Sequence, residues 1–95
     1  MQTLWYYTYV LECKKTNTFY TGCTNNLKQR IEQHKKGEVG YTRSRLPIKL
    51  IYFEACLNKS DAFRREKYLK TGMGKKYLNS RIKDGLAEMN PVRPL

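Results

Sequence analysis

The stretch from Tyr6 to His34, YYTYVLECKKTNTFYTGCTNNLKQRIEQH, leaves a chain of this kind few choices of fold. Tyr6 to Cys13 is rich in aromatic and β-branched residues, which suits a pleated strand. Lys14 to Thr18 (KKTNT) is polar and turn-forming, and Phe19 to Thr24 reads as the return strand. Alternation sets Tyr7, Tyr9 and Leu11 on one face of the first strand and Tyr6, Thr8 and Val10 on the other. Tyr20 and Gly22 share a face of the second. A glycine inside a short strand marks close approach by another backbone or a ligand. Thr24 or Asn25 can then cap a helix to about Lys36, with Gly37 as its stop. Leu27, Ile31 and His34 fall on one stripe of that helix, and Arg30 borders it.

The remainder adds one strand and two helices. Gly37 to Pro47 (GEVGYTRSRLP) reads as a polar loop carrying Arg43 and Arg45, and Ile48 to Phe53 as the third strand. Asn58 or Ser60 can cap a second helix through about Lys70. Gly72 and Gly74 break it, and a third helix runs from about Lys75 to Lys83. From Gly85 onward the chain holds Pro91 and Pro94 and little apolar surface. Residues 85–95 are therefore expected to form a flexible tail, loose or docked on a partner. The order β-β-α-β-α-α predicts an α/β (α+β) domain over residues 1–84, with a small three-stranded sheet flanked by three helices.

Charge narrows the partner. The 95 residues hold nineteen Lys and Arg against eight Asp and Glu, a net charge of +11. Such a field draws in polyanions and speeds encounter with them. No stretch is long enough to span a bilayer and no clean amphipathic anchor stands out, so a membrane partner is not expected. Eight tyrosines against three phenylalanines and one tryptophan suit a wet working surface. Cys13, Cys23 and Cys56 are odd in number and form no CxxC pair, which argues against a disulfide scaffold or a zinc site. They read as small buried side chains in a reducing compartment. No basic region followed by an apolar stretch opens the chain, so no signal peptide is read and a cytoplasmic protein is expected.

Glu66 is the carboxylate out of place. Ala62 is four residues back, Phe63 three back and Leu69 three ahead, so Glu66 stands inside an apolar stripe. A buried carboxylate must be paired, protonated or bound to a cation. An ion pair with Arg30 or a lysine satisfies that requirement. So does a hard divalent ion such as Mg²⁺, which keeps most of its waters and takes only one or two carboxylates. Arg30 is either a surface ion-pair partner or a planar, permanently charged phosphate clamp. His34 either packs or relays a proton near neutral pH. Tyr9 and Tyr20 are either core rings or phenols whose pKa, near 10, nearby cations must lower before they can act. Arg43, Arg45, Arg64, Arg65, Lys67, Lys70, Lys75 and Lys76 either face water or follow a phosphate backbone.

Taken together these residues resemble the GIY-YIG nuclease superfamily, and most of all its short, stand-alone bacterial members. Tyr7-Thr8-Tyr9 stands for the first triplet, which ends in tyrosine, and Tyr20-Thr21-Gly22 for the second, which begins with one. Arg30 in LKQRIEQH is the first-helix arginine, His34 the histidine one turn later, and Glu66 in FRREKYLK the glutamate of a later helix. The likeness runs from about Tyr6 to Lys83. Tyr7, Thr8 and Thr21 depart from the family's residues at positions that carry no chemistry. Asn79 stands where the family often has an asparagine near the end of the module.

The resemblance implies a three-stranded sheet flanked by helices and the hydrolysis of phosphodiesters with one divalent metal, Mg²⁺ or Mn²⁺, held by Glu66. It implies that a tyrosine helps activate water and that Arg30 stabilises the phosphate. Tyr9, Tyr20, Arg30, His34 and Glu66 are carried over as catalytic, with Gly22 and Asn79 as further candidates. Which tyrosine is the base stays open. The expected function is a metal-dependent DNA endonuclease of low sequence specificity, serving repair or recombination. The alternative is a basic nucleic-acid-binding module without cleavage, or a subunit of a larger nuclease complex. DNA against RNA, the structure cut and the oligomeric state are left open.

Overall fold

The computed structural model describes residues 4–89. Two strands, β1 (Tyr6–Cys13) and β2 (Thr18–Thr24), form the expected antiparallel hairpin, with Tyr9 opposite Gly22 and Leu11 opposite Tyr20. A third strand, β3 (Ile48–Cys56), pairs antiparallel with the other side of β1, Tyr6 lying opposite Cys56. The sheet order is β2-β1-β3. The tyrosine-rich strand is therefore central and both of its neighbours are edges. β3 runs past the expected end at Phe53, because Glu54, Ala55 and Cys56 keep their register against β1.

Helices cover both faces. They are α1 (Leu27–Lys35), α2 (Gly40–Arg43), α3 (Lys59–Leu69), α4 (Gly72–Arg81) and α5 (Lys83–Met89). On one face Tyr9, Leu11 and Cys13 pack with Ile31 of α1 and Ile48. On the other Val10 packs with Leu69 of α3 and Leu78 of α4. There Thr8 donates its hydroxyl to the Ala62 carbonyl at 3.0 Å, fixing α3 on the sheet. β1 thus contributes side chains to two cores, which is why so few of its residues are polar.

The expected order β-β-α-β-α-α holds, with two short helices added to it. One is α2, a single turn inside the segment expected to be a loop, with Thr42 buried. The other is α5, which carries residues 85–89 of the expected tail in a helix and buries Leu86 to 5% exposure. Residues 90–95, with Pro91 and Pro94, lie outside the described residues. Two helix starts move and a third stays. Asn26 caps α1, accepting from the Gln29 N–H at 3.2 Å, while Thr24 turns its hydroxyl to the Asn26 N–H. Asn58, one of the two residues expected to cap α3, accepts from the Ser60 and Asp61 N–H groups.

The largest shift is at α4, which starts at Gly72 rather than near Lys75. Thr71 caps it by accepting from the Gly74 N–H at 3.1 Å. A Cβ on Gly74 would lie 1.9 Å from the Tyr68 carbonyl oxygen. That glycine is a point of contact between α3 and α4 and does not break either helix. All three cysteines are free; Cys13 is buried, while Cys23 and Cys56 are half-buried rather than fully sequestered. Among the described residues no helix is long and apolar enough to cross a membrane.

Candidate active site

Pleat and helical spacing bring four of the expected residues together. Tyr9 and Tyr20 come from adjacent strands on the α1 face, with ring centroids 6.3 Å apart. His34 stands edge-on to both rings, at 5.7 Å from Tyr9 and 5.1 Å from Tyr20. Arg30, one turn before His34, is half-buried and bonds the Gln33 side-chain oxygen at 3.0 Å.

Gly22 makes this packing possible. It lies beneath the Tyr9 ring, and a Cβ there would come 2.5 Å from the Tyr9 hydroxyl. The close approach expected at this glycine is made by a tyrosine side chain rather than by a backbone or a ligand. Gly22→Ala should therefore push the Tyr9 hydroxyl away from His34. The expected cost is about 1–3 kcal/mol in a urea melt, the usual range for overpacking, together with loss of any catalytic function. An alanine variant of parent stability would mean that the Tyr9 ring is loosely held.

The Tyr9 hydroxyl is 2.9 Å from His34 Nε2, and His34 Nδ1 is 2.7 Å from the Thr42 hydroxyl. Thr42 also reaches the Val39 carbonyl at 3.5 Å, and its hydroxyl has one proton to place. With that proton on Val39, Nδ1–H donates to Thr42 and Nε2 accepts from Tyr9. With it on Nδ1, the chain runs the other way. Both arrangements satisfy a neutral imidazole, and the first lets Tyr9 hand its proton to His34. Thr42 belongs to the site and was not anticipated from the sequence. One turn of helix leaves no periodic signal, and a lone threonine in a polar segment carries none of its own.

Burial and charge set the titration of this chain. Burial, assisted by the charge of Arg30, lowers the His34 pKa from 6.5 to about 4. Burial also pushes the Tyr9 phenol up to about 12, with Arg30 opposing and the charges of Tyr20 and Glu66 adding. The unfolded chain protonates His34 near 6.5, whereas the folded protein resists until about 4. Stability tied to neutral His34 is thus present above pH 6.5 and drains away as the pH falls towards 4. Between pH 7 and about 4.5 the parent should lose about 2–3 kcal/mol more than His34→Gln in paired urea melts. Equal losses would show that His34 is not held neutral.

Glu66 arrives from α3, on the opposite face, yet its charge reaches both Tyr9 and Cys23. Tyr20 of β2 and Lys70, which bonds Glu66, line one pocket at the free edge of β2, where the two faces of the sheet meet. On the helical stripe Ala62 and Leu69 are buried as expected, but Phe63 turns outward. The Glu66 side chain is only 17% exposed, and Lys70 Nζ bonds its Oε2 at 3.0 Å. Of the partners left open above, the lysine one turn ahead is the one found.

The other basic candidates divide by environment. Arg65 bonds Glu54 at 2.6 Å and lies over the rings of Tyr68 and Tyr77, so its guanidinium already serves the fold. Arg64 pairs with Asp61 at the surface. Arg45 stacks on the exposed Tyr41 ring, 3.9 Å from its centroid. Arg43, Lys67, Lys75 and Lys76 are exposed, as is Asn79 on α4.

A divalent cation fits this donor set. Among the described residues no three metal-binding side chains cluster. A cation at Glu66 would rest on one carboxylate, its own waters and a substrate oxygen, an arrangement that hard ions such as Mg²⁺ accept. Lys70 engages one carboxylate oxygen and marks the place as one that favours a positive charge.

Comparison with known proteins gives the family. A family model described as the GIY-YIG catalytic domain matches residues 5–84. The chain belongs to the GIY-YIG family. Its relatives include UPF0213 protein CPE1444 of Clostridium perfringens, 51% identical over 65 residues, 67% of this chain and 69% of that protein. A UPF0213 protein of Pediococcus pentosaceus is 40% identical over 86 residues and 90% of each chain. The solution structure of UPF0213 protein BH0048 from Bacillus halodurans superposes with a TM-score of 0.56 at 30% identity. That likeness covers 97% of this chain and 100% of the other. Within this small GIY-YIG group the fold is that of a nuclease catalytic domain. Tyr9, Tyr20, Arg30 and His34 sit side by side in it, with the charge of Glu66 reaching Tyr9.

Proposed function

We propose that the protein is a divalent-metal-dependent endonuclease that hydrolyses phosphodiesters in DNA, with a role in repair or recombination. The observation that carries this reading is the meeting of two tyrosines, an arginine and a neutral histidine with the charge of a half-hidden glutamate at one sheet edge. A module that only binds nucleic acid has no use for a carboxylate facing its anionic ligand.

Arg30 receives the scissile phosphate and stabilises the charge that grows on it as water attacks in line. Tyr20, its own phenolic proton first given up to solvent, takes the proton of that water, since it is half-buried and reachable, whereas the Tyr9 ring is fully enclosed. Tyr9, bonded to His34, supports Tyr20 and Arg30 from behind. The phosphate also offsets the Arg30 charge that helps hold His34 neutral, so His34 becomes a better acceptor once substrate is bound. The P–O bond to the leaving strand breaks, solvent supplies the proton to its oxygen, and no covalent intermediate forms. A divalent cation at Glu66 would supply charge neutralisation at the leaving oxygen and ease ionisation of a neighbouring phenol.

The test is incubation of the purified protein with labelled duplex, branched, flapped and single-stranded DNA, and with RNA. Each is tried with Mg²⁺, Mn²⁺ or EDTA. Cleavage of DNA with either metal, stopped by EDTA, is the expected result. Salt-sensitive binding without cleavage of any substrate would favour the basic binding module instead.

A further inference from the structure

We propose that the pocket at the outer edge of β2 is a nucleobase subsite. It takes the base of the nucleotide next to the cut phosphate, with that nucleotide's own phosphate held by Lys70 and Lys75. This rests on the nuclease reading above and goes beyond it by assigning a role to residues outside the reacting cluster.

The pocket measures about 280 Å³. That lies just below the roughly 300–1,000 Å³ of sites for drug-sized ligands, so it suits a single planar ring system. Its lining has three chemistries. Tyr20 and Tyr41 supply aromatic rings; Phe19, Leu69 and Leu78 supply apolar surface; Lys70 and Lys75 supply positive charge. A sugar or a bare phosphate needs neither the rings nor the leucines, and an apolar ligand has no use for two lysines. A nucleotide uses all three.

The Tyr41 ring is set in place although 43% exposed. Arg45 lies over it at 3.9 Å, and the Tyr20 ring tilts against it at 5.3 Å. A ring fixed in this way loses little further freedom when a base stacks on it. Every base has a π-face, so such a surface accepts all four. β2 is an edge strand, and alternate main-chain groups along it point away from β1. Thr21 of this edge strand lines the pocket.

Position links the pocket to the chemistry. Tyr20 is shared between the two, and Lys70 both lines the pocket and bonds Glu66. The occupant is therefore a neighbour of the reacting phosphate on the same strand. A base seated here has left its stack, so cleavage includes the cost of unstacking one nucleotide.

The test is an NMR titration of the full chain without metal, using thymidine 5′-monophosphate, thymidine and deoxyribose 5-phosphate as separate probes. The monophosphate should shift the amides of Thr21, Tyr41, Lys75 and Leu78 at concentrations of about 1–10 mM, as expected for one stacked base and one phosphate. Deoxyribose 5-phosphate should bind about tenfold more weakly. Tyr41→Ala should weaken the monophosphate by about tenfold while Tyr41→Phe retains it, thermal melts confirming that both fold. Equal binding of nucleotide and sugar phosphate overturns the subsite. So do shifts that map elsewhere, or no shift at millimolar nucleotide. In cleavage assays, an abasic position walked along a cut strand should slow the reaction at one position only. Cleavage that is indifferent to every abasic position removes the subsite and leaves the nuclease reading standing. Absence of all cleavage removes the nuclease reading and leaves the titration to decide the subsite.

Discussion

Glu66→Ala is expected to abolish cleavage and to leave nucleic-acid binding intact or tighter. The carboxylate is half-hidden, its charge reaches Tyr9, and it is engaged by Lys70 at 3.0 Å. Removing it takes away the donor for a cation, and the loss of one such stabilising group costs about 10²–10³ in rate or more. Binding moves in the opposite direction for two reasons. A negative charge beside the incoming phosphate disappears, and Lys70 is released from its ion pair. Lys70, no longer shared between Glu66 and a phosphate, then holds that phosphate more tightly, so affinity should rise most at low salt. Single-turnover cleavage and fluorescence anisotropy over a salt series measure the two effects separately. Cutting at the parent rate by the alanine variant would remove Glu66 from the chemistry. A loss of binding in step with a lowered melting point would make it a structural residue.

The hairpin and its site were legible because they lie in one local stretch with clear periods. Tyr9, Tyr20, Arg30 and His34 all fall between Tyr6 and His34, and two-residue and helical spacing suffice to turn them towards one another. Glu66 could be singled out as a carboxylate on an apolar stripe, although Phe63, part of that pattern, turns out to face solvent. Three features had no local signal. Thr42 reaches His34 from a one-turn helix with no period to read. Gly74 resembles a helix breaker in sequence, and only the passage of α3 beside it explains a glycine inside α4. Arg65 looked like one more cation on a basic helix, yet Glu54 and two tyrosine rings hold it. Each of these depends on a contact between one element and the next, which spacing within a single element does not encode. The same limit applies to the pocket at β2, whose lining comes from β2, α2, α3 and α4 together with the Lys70 cap.

Burial separates the two tyrosines, which the sequence left equivalent. Tyr9 is wholly enclosed, with its hydroxyl bonded to His34 and its phenol pushed up to about 12. At neutral pH a free phenol of that pKa is ionised about once in 10⁵ molecules, so Tyr9 is ill suited to meet water directly. Tyr20 lies in the same cluster and is only half-buried. Tyr20→Phe is therefore expected to slow single-turnover cleavage by about 10²–10³, with binding and stability close to those of the parent. Tyr9→Phe should slow it less, by about tenfold, because it deletes a supporting hydroxyl rather than the proton acceptor. It should also lower stability by about 1–2 kcal/mol, since a buried hydrogen bond to His34 is lost and Nε2 is left without its partner. Enzyme in excess, quenched at intervals, gives the rates, and urea melts give the stabilities. The reverse order, with Tyr9→Phe the slower variant and Tyr20→Phe nearly normal, would pass the role of base to Tyr9 acting through His34. Parent rates for both would leave the two rings as core and place water activation on His34 or the metal.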